Sequence, residues 1–290
     1  MRLALIGVGL IGASAAWAMK RGSVFETVSA FDLSAQSARK AVEMGIADTA
    51  ADTLEACVQG ADAVLVAVPV LAIEKAMAQI EPFLRDETLV TDVGSVRGVV
   101  IEGARRALKE KFVNYAPVHP IAGGEMPGVD YADADLFMGA KAISTPVADI
   151  GDRAVQFWEN AWKTAGSDLL RMTPEEHDAV FASVSHLPHL LSYAMVDSIL
   201  NTGSAERKLS LAGAGFRDFT RIAASSPEMW VDIFRANKKA VLEALSYFEK
   251  DLALLRQAVE NDEIEVTRAI FARAAEARRR IAPHLPPKRK

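Results

Sequence analysis

The chain has 290 residues, half of them hydrophobic and 24% charged, the balance of a soluble globular protein rather than a disordered or fibrous one. Its formal net charge of −5 argues against nucleic-acid binding, which usually needs a basic face. The single cysteine, Cys57, excludes an internal disulfide and a cysteine-built zinc site and fits a reducing, cytoplasmic setting.

At roughly 100–200 residues per domain, the length predicts two domains. The first twenty residues carry Arg2, an apolar run and Ala16-Trp17-Ala18, the outline of a secretory signal peptide. Three glycines at a set spacing, followed by Lys20-Arg21-Gly22, favour a buried strand and helix instead. No other stretch approaches ~18 uninterrupted apolar residues, so no membrane-spanning helix is expected.

Residues 2–6 read as a buried strand. Gly7 to Gly12 then runs into an Ala-rich helix reaching about Arg21, and a second strand over 28–31 ends at Asp32. A helix is expected over 35–44. The unbroken apolar run 63–68, stopped by Pro69, fits a central parallel strand. Helices over 70–81, 97–110 and 150–165 and strands over 88–92 and 141–144 follow. Strands alternating with helices predict right-handed crossovers and a Rossmann-type, doubly wound parallel sheet, class α/β.

The pattern changes at Thr173-Pro174-Glu175-Glu176, a capping-box start with proline at the first helical position. From there the chain reads as helix, so the expected domains are 1–172 (nucleotide-binding) and 173–290 (all-α). Ser226-Pro227 opens a helix whose pattern runs unbroken to about Val259. Val241, Leu245, Phe248, Leu252, Leu255 and Val259 form a coiled-coil-like stripe along it. One helix of ~33 residues would be ~50 Å long. Its stripe is expected to pack on a second subunit, giving a homodimer through the helical domain. The alternative cover is helices 174–203 and 262–281 of the same chain.

Gly7-x-Gly9-x-x-Gly12 is a weak motif alone. Here it follows a strand, opens a helix, and has Asp32 twenty residues after Gly12 at the end of the next strand, which makes it a dinucleotide-binding fingerprint. The glycines allow the tight turn, the approach of a pyrophosphate, and close helix–strand packing. Leu10 and Ile11 complete the turn into the helix, whose N-terminus suits an anion. An Asp32 carboxylate would accept from ribose hydroxyls and repel a 2′-phosphate, so NAD is favoured over NADP. Val68 and Pro69, at the carboxyl end of a central strand, are placed beside the adenine or ribose half.

Ser95, in Thr91-Asp92-Val93-Gly94-Ser95-Val96-Arg97, sits at the same carboxyl edge. It is a candidate either for the nicotinamide side or for a helix N-cap. His119 opens His119-Pro120-Ile121-Ala122-Gly123-Gly124-Glu125, a segment that reads as an irregular, glycine-rich loop of the kind that carries functional groups. Arg217 and Arg221, four apart, would share a helix face and offer two cations. Salt bridging to Asp218 or Glu228 is the other reading. His186 and His189, three apart around Pro188, lack a carboxylate or cysteine at telling spacing, so no metal is expected.

GVGLIGAS at 7–14, TDVGSVRG at 91–98, HPIAGGEMPG at 119–128, Leu136-Phe137, Ser144-Thr145-Pro146, His177-Asp178, SHLPH at 185–189 and GFRDFTRIAASSPEMW at 215–230 together resemble the prephenate/arogenate dehydrogenase family of tyrosine biosynthesis. The resemblance spans about residues 2–250 in order. It implies an NAD-dependent oxidative decarboxylation of a dicarboxylate substrate, prephenate or arogenate. His119 would take the substrate's hydroxyl proton, and Ser95 would orient that histidine and contact the nicotinamide side. Arg221 would grip a carboxylate, with Arg217 at the entrance. His189 would line the pocket, Trp230 would form its wall, and Glu125 would lie at its mouth.

Gly124 departs from the hydroxyl residue more usual in the family, and Arg97 replaces a frequent lysine. A β-hydroxyacid dehydrogenase would need a lysine in the first helix of the second domain, and none occurs between Thr173 and Lys208. A non-catalytic NAD sensor need not keep Ser95, His119 and Arg221 together. Residues 260–290 are too few for a fused mutase or regulatory domain.

Overall fold

The computed structural model describes residues 1–124 and 126–282. Their contacts form two compact units, Met1–Lys238 and Lys239–Lys290. In the first unit, β1 (Arg2–Ile6), β2 (Thr27–Phe31), β3 (Thr49–Ala50), β4 (Ala63–Val66), β5 (Leu89–Asp92), β6 (Tyr115–Ile121), β7 (Lys141–Ser144) and β8 (Asp168–Arg171) make one sheet in the order β3-β2-β1-β4-β5-β6-β7-β8. Along β1, Leu3 and Leu5 enter one core layer while Ala4 and Ile6 enter the other. This period of two, buried on both sides, calls for helices on both faces. They are α1 (Leu10–Arg21), α2 (Ala35–Glu43), α3 (Leu54–Val58), α4 (Ile73–Ile80), α5 (Gly98–Leu108) and α6 (Asp152–Thr164).

The doubly wound α/β sheet expected from the sequence is present, with one departure from its parallel order: β6 and β7 are antiparallel. A parallel return takes a crossover of a dozen or more residues, usually a helix. The described residues between β6 and β7 form only one short 3-10 turn, Val129–Tyr131, and no α-helix. The segment around His119 is also corrected. It is no loop but strand β6, with His119 paired to Ile143 and Pro120 to Ala142. Pro117 and Pro120 disguise it, because proline cannot donate to a ladder and argues against a strand. Two further strands were too short to stand out: β3 has two residues, and β8 has four and is largely exposed.

Beyond residue 172 come α7 (Pro174–Phe181), α8 (Leu187–Leu200), α9 (Ala205–Ser210), α10 (Ala214–Thr220), α11 (Pro227–Ala236), α12 (Lys238–Glu260) and α13 (Ile264–Ile281). The Thr173 hydroxyl accepts from Glu176 N at 3.1 Å, the cap expected there. A π-helical turn, Ala182–His186, separates α7 from α8. Pro174–Leu200 is long and apolar enough, by length and composition alone, to cross a membrane. It also holds the buried, hydrogen-bonded His177 and His186, while most of the rest of it is half-buried or exposed.

The single long helix over 226–259 is corrected too. The chain breaks at Asn237 (φ −108°, ψ 30°), whose buried side-chain amide donates to the Asp178 carbonyl at 2.8 Å. α12 is therefore 23 residues long, ~35 Å, and the ~50 Å span no longer argues for a second subunit. In the second unit, α12 and α13 are joined by a tight turn with Asp262 at φ 53°. Leu252, Val259, Ile264 and Phe271 stand exposed there.

The glycine turn after β1 is sterically locked. Gly7 has φ +92°, and a Cβ on Gly12 would lie 2.4 Å from the Gly7 carbonyl oxygen and 2.6 Å from Ala67 Cβ. A Cβ on Gly9 would meet nothing within 4 Å. Gly12→Val should therefore lower the urea midpoint by the equivalent of ~1–3 kcal/mol or more through overpacking, while Gly9→Ala leaves it almost unchanged. Equal midpoints for the two variants would contradict this packing.

Candidate active site

The open space above Gly9 faces the start of α1. That helix has no side-chain N-cap and no acidic residue in its first turn, so its leading N–H groups and dipole are left for an anion. Gly7 N donates to the Phe31 carbonyl at 2.9 Å, tying the turn to the end of β2. There the Asp32 carboxylate accepts from Val8 N at 2.7 Å and Ser34 N at 2.8 Å. Each oxygen keeps a second acceptor position. These residues fit a dinucleotide: a side-chain-free cradle, an uncapped helix end and a fixed acceptor. Leu10 and Ile11 are half-buried, Val68 is half-buried and Pro69 exposed, on the edge beyond β4. Leu33, beside Asp32, is 97% exposed, an apolar surface the sequence reading missed. Only its position directly after the acidic residue could have drawn notice.

The loop after β5 is set by a buried ionic cluster. Arg97, fully buried, donates from Nη2 to Asp92 Oδ1 at 2.7 Å. Gly94 N reaches the same oxygen at 2.6 Å, and the Tyr115 hydroxyl donates to Oδ2. Burial opposes the charge on Arg97, but Asp92, Tyr115 and Asp178 outweigh it and raise its pKa. Burial, with Asp92 alongside, lifts the Tyr115 phenol well above its ordinary value. Ser95, half-buried and three residues past β5, makes no hydrogen bond to His119 among the described residues. Nor does it cap α5. That helix begins after Arg97 without a side-chain cap of its own, and Asp178 of α7 accepts from Arg97 N (2.7 Å) and Gly98 N (2.9 Å).

His119 on β6 meets α7. Its Nδ1 lies 2.9 Å from His177 Nε2, and His177 Nδ1 lies 2.9 Å from Asp178 Oδ1. Phe181 packs on both rings, with centroids at 5.0 and 4.4 Å. Burial pushes the His119 pKa well below its ordinary value, and the neighbouring His177, Arg97 and His186 push the same way. Burial also lowers His177, against the pull of Asp178. For Asp178, burial works to raise the pKa, but hydrogen bonds from His177 and from the Arg97 and Gly98 backbone leave it low. The cluster is thus two neutral imidazoles ending on a carboxylate.

A second group adjoins it. His189 stacks on Trp230 with centroids 3.6 Å apart and donates from Nδ1 to the Ser185 carbonyl at 2.9 Å. Trp230 is buried on α11, and its Nε1 has no partner among the described residues. Burial lowers the His189 pKa, and the positive charge of Arg221 lowers it further, so Arg221 lies on this side. α10 stops at Thr220, and Arg221 opens a 3-10 turn. The two arginines therefore do not share one helix, as their spacing had predicted. Arg217 is 77% exposed, 3.7 Å from Asp218. Glu125 lies outside the described residues. In the same loop, a Cβ on Gly124 would come within 3.3 Å of Leu10 Cδ2, so the loop reaches the start of α1.

Burial holds His186 neutral and pushes its pKa from 6.5 down to about 4. A folded-state value below the unfolded one gives stability that is complete above pH 6.5 and is lost as pH falls through that window. Urea midpoints should drop between pH 7 and pH 5, and by less in His186→Asn, whose side chain cannot charge.

A family model described as "Prephenate dehydrogenase, nucleotide-binding domain" matches residues 15–170, and one described as "Prephenate dehydrogenase, dimerization domain" matches residues 173–273. Cyclohexadienyl dehydrogenase of Zymomonas mobilis is 34% identical over 278 residues, 95% of this chain and 94% of the relative. A crystal structure of prephenate dehydrogenase from A. aeolicus, in complex with hydroxyphenyl propionate and NAD+, superposes with a TM-score of 0.91 at 32% identity, covering 97% of this chain and 98% of that one. Synechocystis arogenate dehydrogenase follows with a TM-score of 0.82 at 25% identity, over 97% of this chain and 99% of that one. The chain belongs to the prephenate dehydrogenase family.

Proposed function

We propose that the chain is an NAD-dependent dehydrogenase of tyrosine biosynthesis, converting prephenate to 4-hydroxyphenylpyruvate, arogenate to tyrosine, or both. The observation that carries this reading is a neutral, partly buried His119 on a strand next to β5, beyond which lies the glycine-turn edge of the sheet. A histidine kept uncharged is a ready proton acceptor.

In this reading Gly7, Gly9, Leu10, Ile11 and Gly12 hold the pyrophosphate, Asp32 the ribose, and Val68, Pro69 and the exposed Leu33 the adenine. NAD, when bound, supplies the hydride acceptor. Arg221 binds a substrate carboxylate through its guanidinium fork, with Arg217 outside at the entrance. His189 and Trp230 form one wall, Ser95 borders the nicotinamide side, and Glu125 guards the mouth. His119 Nε2 takes the proton of the ring hydroxyl as its carbon is oxidised. Loss of the ring carboxylate as CO2 sends its electron pair into the ring, and the resulting phenolate oxygen takes the proton back. Residues 1–172 serve the nucleotide and 173–290 the substrate and a homodimer contact. In this reading the enzyme works in the cytoplasm, which its single unpaired cysteine fits.

NADH should appear when the protein is mixed with NAD and prephenate or arogenate; its absence with both substrates would overturn the reading. His119→Asn should cut turnover by ~10²–10⁴, the range of a lost general base, while the NAD Kd stays within about threefold. Asp32→Ser should narrow or reverse the preference of NAD over NADP, read as the ratio of kcat/KM values.

A further inference from the structure

His119 needs more than a low proton affinity: the ring must present the correct nitrogen. Nothing in the sequence says which one, but the hydrogen-bonded row around it does. It begins at Asp178. This carboxylate accepts from Arg97 N at 2.7 Å and Gly98 N at 2.9 Å, both donors by necessity, so it is held as an acceptor. His177 Nδ1, 2.9 Å from Asp178 Oδ1, must therefore carry a proton; two lone pairs at that distance would repel. His177 is fully buried and kept neutral, by burial first and by Arg97 as well. A neutral imidazole with Nδ1–H has a bare Nε2. That Nε2 is 2.9 Å from His119 Nδ1, so His119 Nδ1 is the donor. His119 Nε2 is left bare, with no hydrogen bond to any described residue.

We propose that His177 and Asp178 are positioning residues that fix His119 as its Nδ1–H tautomer, leaving Nε2 as the base for the substrate hydroxyl. The proposal rests on the dehydrogenase reading above for what the base acts on, but the tautomer itself follows from the row of contacts. No proton passes along the row. The proton taken from the hydroxyl stays on His119 Nε2, and Asp178 remains ionised. The charged and titratable groups around His119 are His177 on α7, His186 in the turn before α8, and Arg97 on the loop after β5. Those around His177 are Asp178, Arg97 and Asp92, together with His119 and His186. Arg97 thus discourages a second proton on either ring, and Asp178 alone sets direction. The Phe181 ring, packed on both imidazoles, and strand pairing of His119 with Ile143 hold the planes in place.

The test is direct. Nitrogen-15 NMR of the full chain with NAD, labelled at its five histidines and assigned with His119→Asn, reads the tautomer in the unmodified protein. Nδ1 should be protonated and Nε2 bare at neutral pH; the reverse pattern overturns the proposal. Arg97 N and His177 Nδ1 both meet Asp178 Oδ1, while Gly98 N meets Oδ2, so an asparagine could keep its oxygen on His177. Asp178→Ala leaves no acceptor there and frees His177 to take either tautomer. The His119 signals should then average over both tautomers, and kcat should fall by up to ~10⁴-fold, the figure for misdirecting the serine-protease histidine. KM and the NAD Kd should stay within about threefold.

His177→Gln offers an amide oxygen to His119 Nδ1–H and should retain at least tenfold more kcat than His177→Leu. A pure Nδ1–H pattern retained in Asp178→Ala, or equal kcat in the two His177 variants, would remove the positioning role. Absence of NADH from the unmodified protein would instead defeat the dehydrogenase reading and leave the tautomer measurement standing.

Discussion

The site depends on one carboxylate that belongs to a helix and serves a loop. α5 begins with backbone N–H groups that its own sequence leaves uncapped. Asp178, eighty residues further on, accepts two of them. An uncapped helix start in the interior would cost about a kilocalorie or more, so this contact fastens α7 onto the edge of the sheet. Because His177 is the next residue back, the same contact fixes its ring, and through it the ring of His119. Folding and positioning are one event here.

The loop that presents those N–H groups is itself expensive. Arg97 is fully buried against Asp92, with Tyr115 on the other carboxylate oxygen, while its Nε and Nη1 lack partners among the described residues. A buried ion pair seldom stabilises more than packed hydrophobic residues would, but breaking one is severe. What the pair supplies is a fixed backbone from Gly94 to Gly98 and a permanent positive charge near two imidazoles. That charge adds to burial in keeping the histidines neutral, the state in which a base is useful.

Much of the nucleotide half was legible in the sequence because its signals are local. The glycine spacing, the apolar run of β4, Asp32 after β2 and the Thr173 cap each involve neighbours along the chain. The elements that escaped are those whose cause lies elsewhere. β6 holds two prolines and is a strand only because β5 and β7 flank it. β8 is four residues long and largely exposed. The break at Asn237 interrupts an apolar pattern that would have continued, because its amide is drawn to the Asp178 carbonyl and to His186 Nδ1. His177-Asp178 stood out only as part of a family resemblance. Adjacent histidine and aspartate carry no message until β6 brings His119 across 58 positions.

The locked turn after β1 also governs which sequences this half of the chain can explore. A methyl on Gly12 would strike both the Gly7 carbonyl and Ala67 Cβ, and one on Gly7 would come within 2.4 Å of the Ala67 carbonyl oxygen. Two glycines of one turn and a residue more than fifty positions further on thus share one volume and cannot drift independently. A larger residue at Ala67, at the carboxyl end of β4 and remote from any motif, would open the turn as surely as losing a glycine. Variation at that alanine should be as constrained as at the fingerprint itself, although no pattern search would mark it.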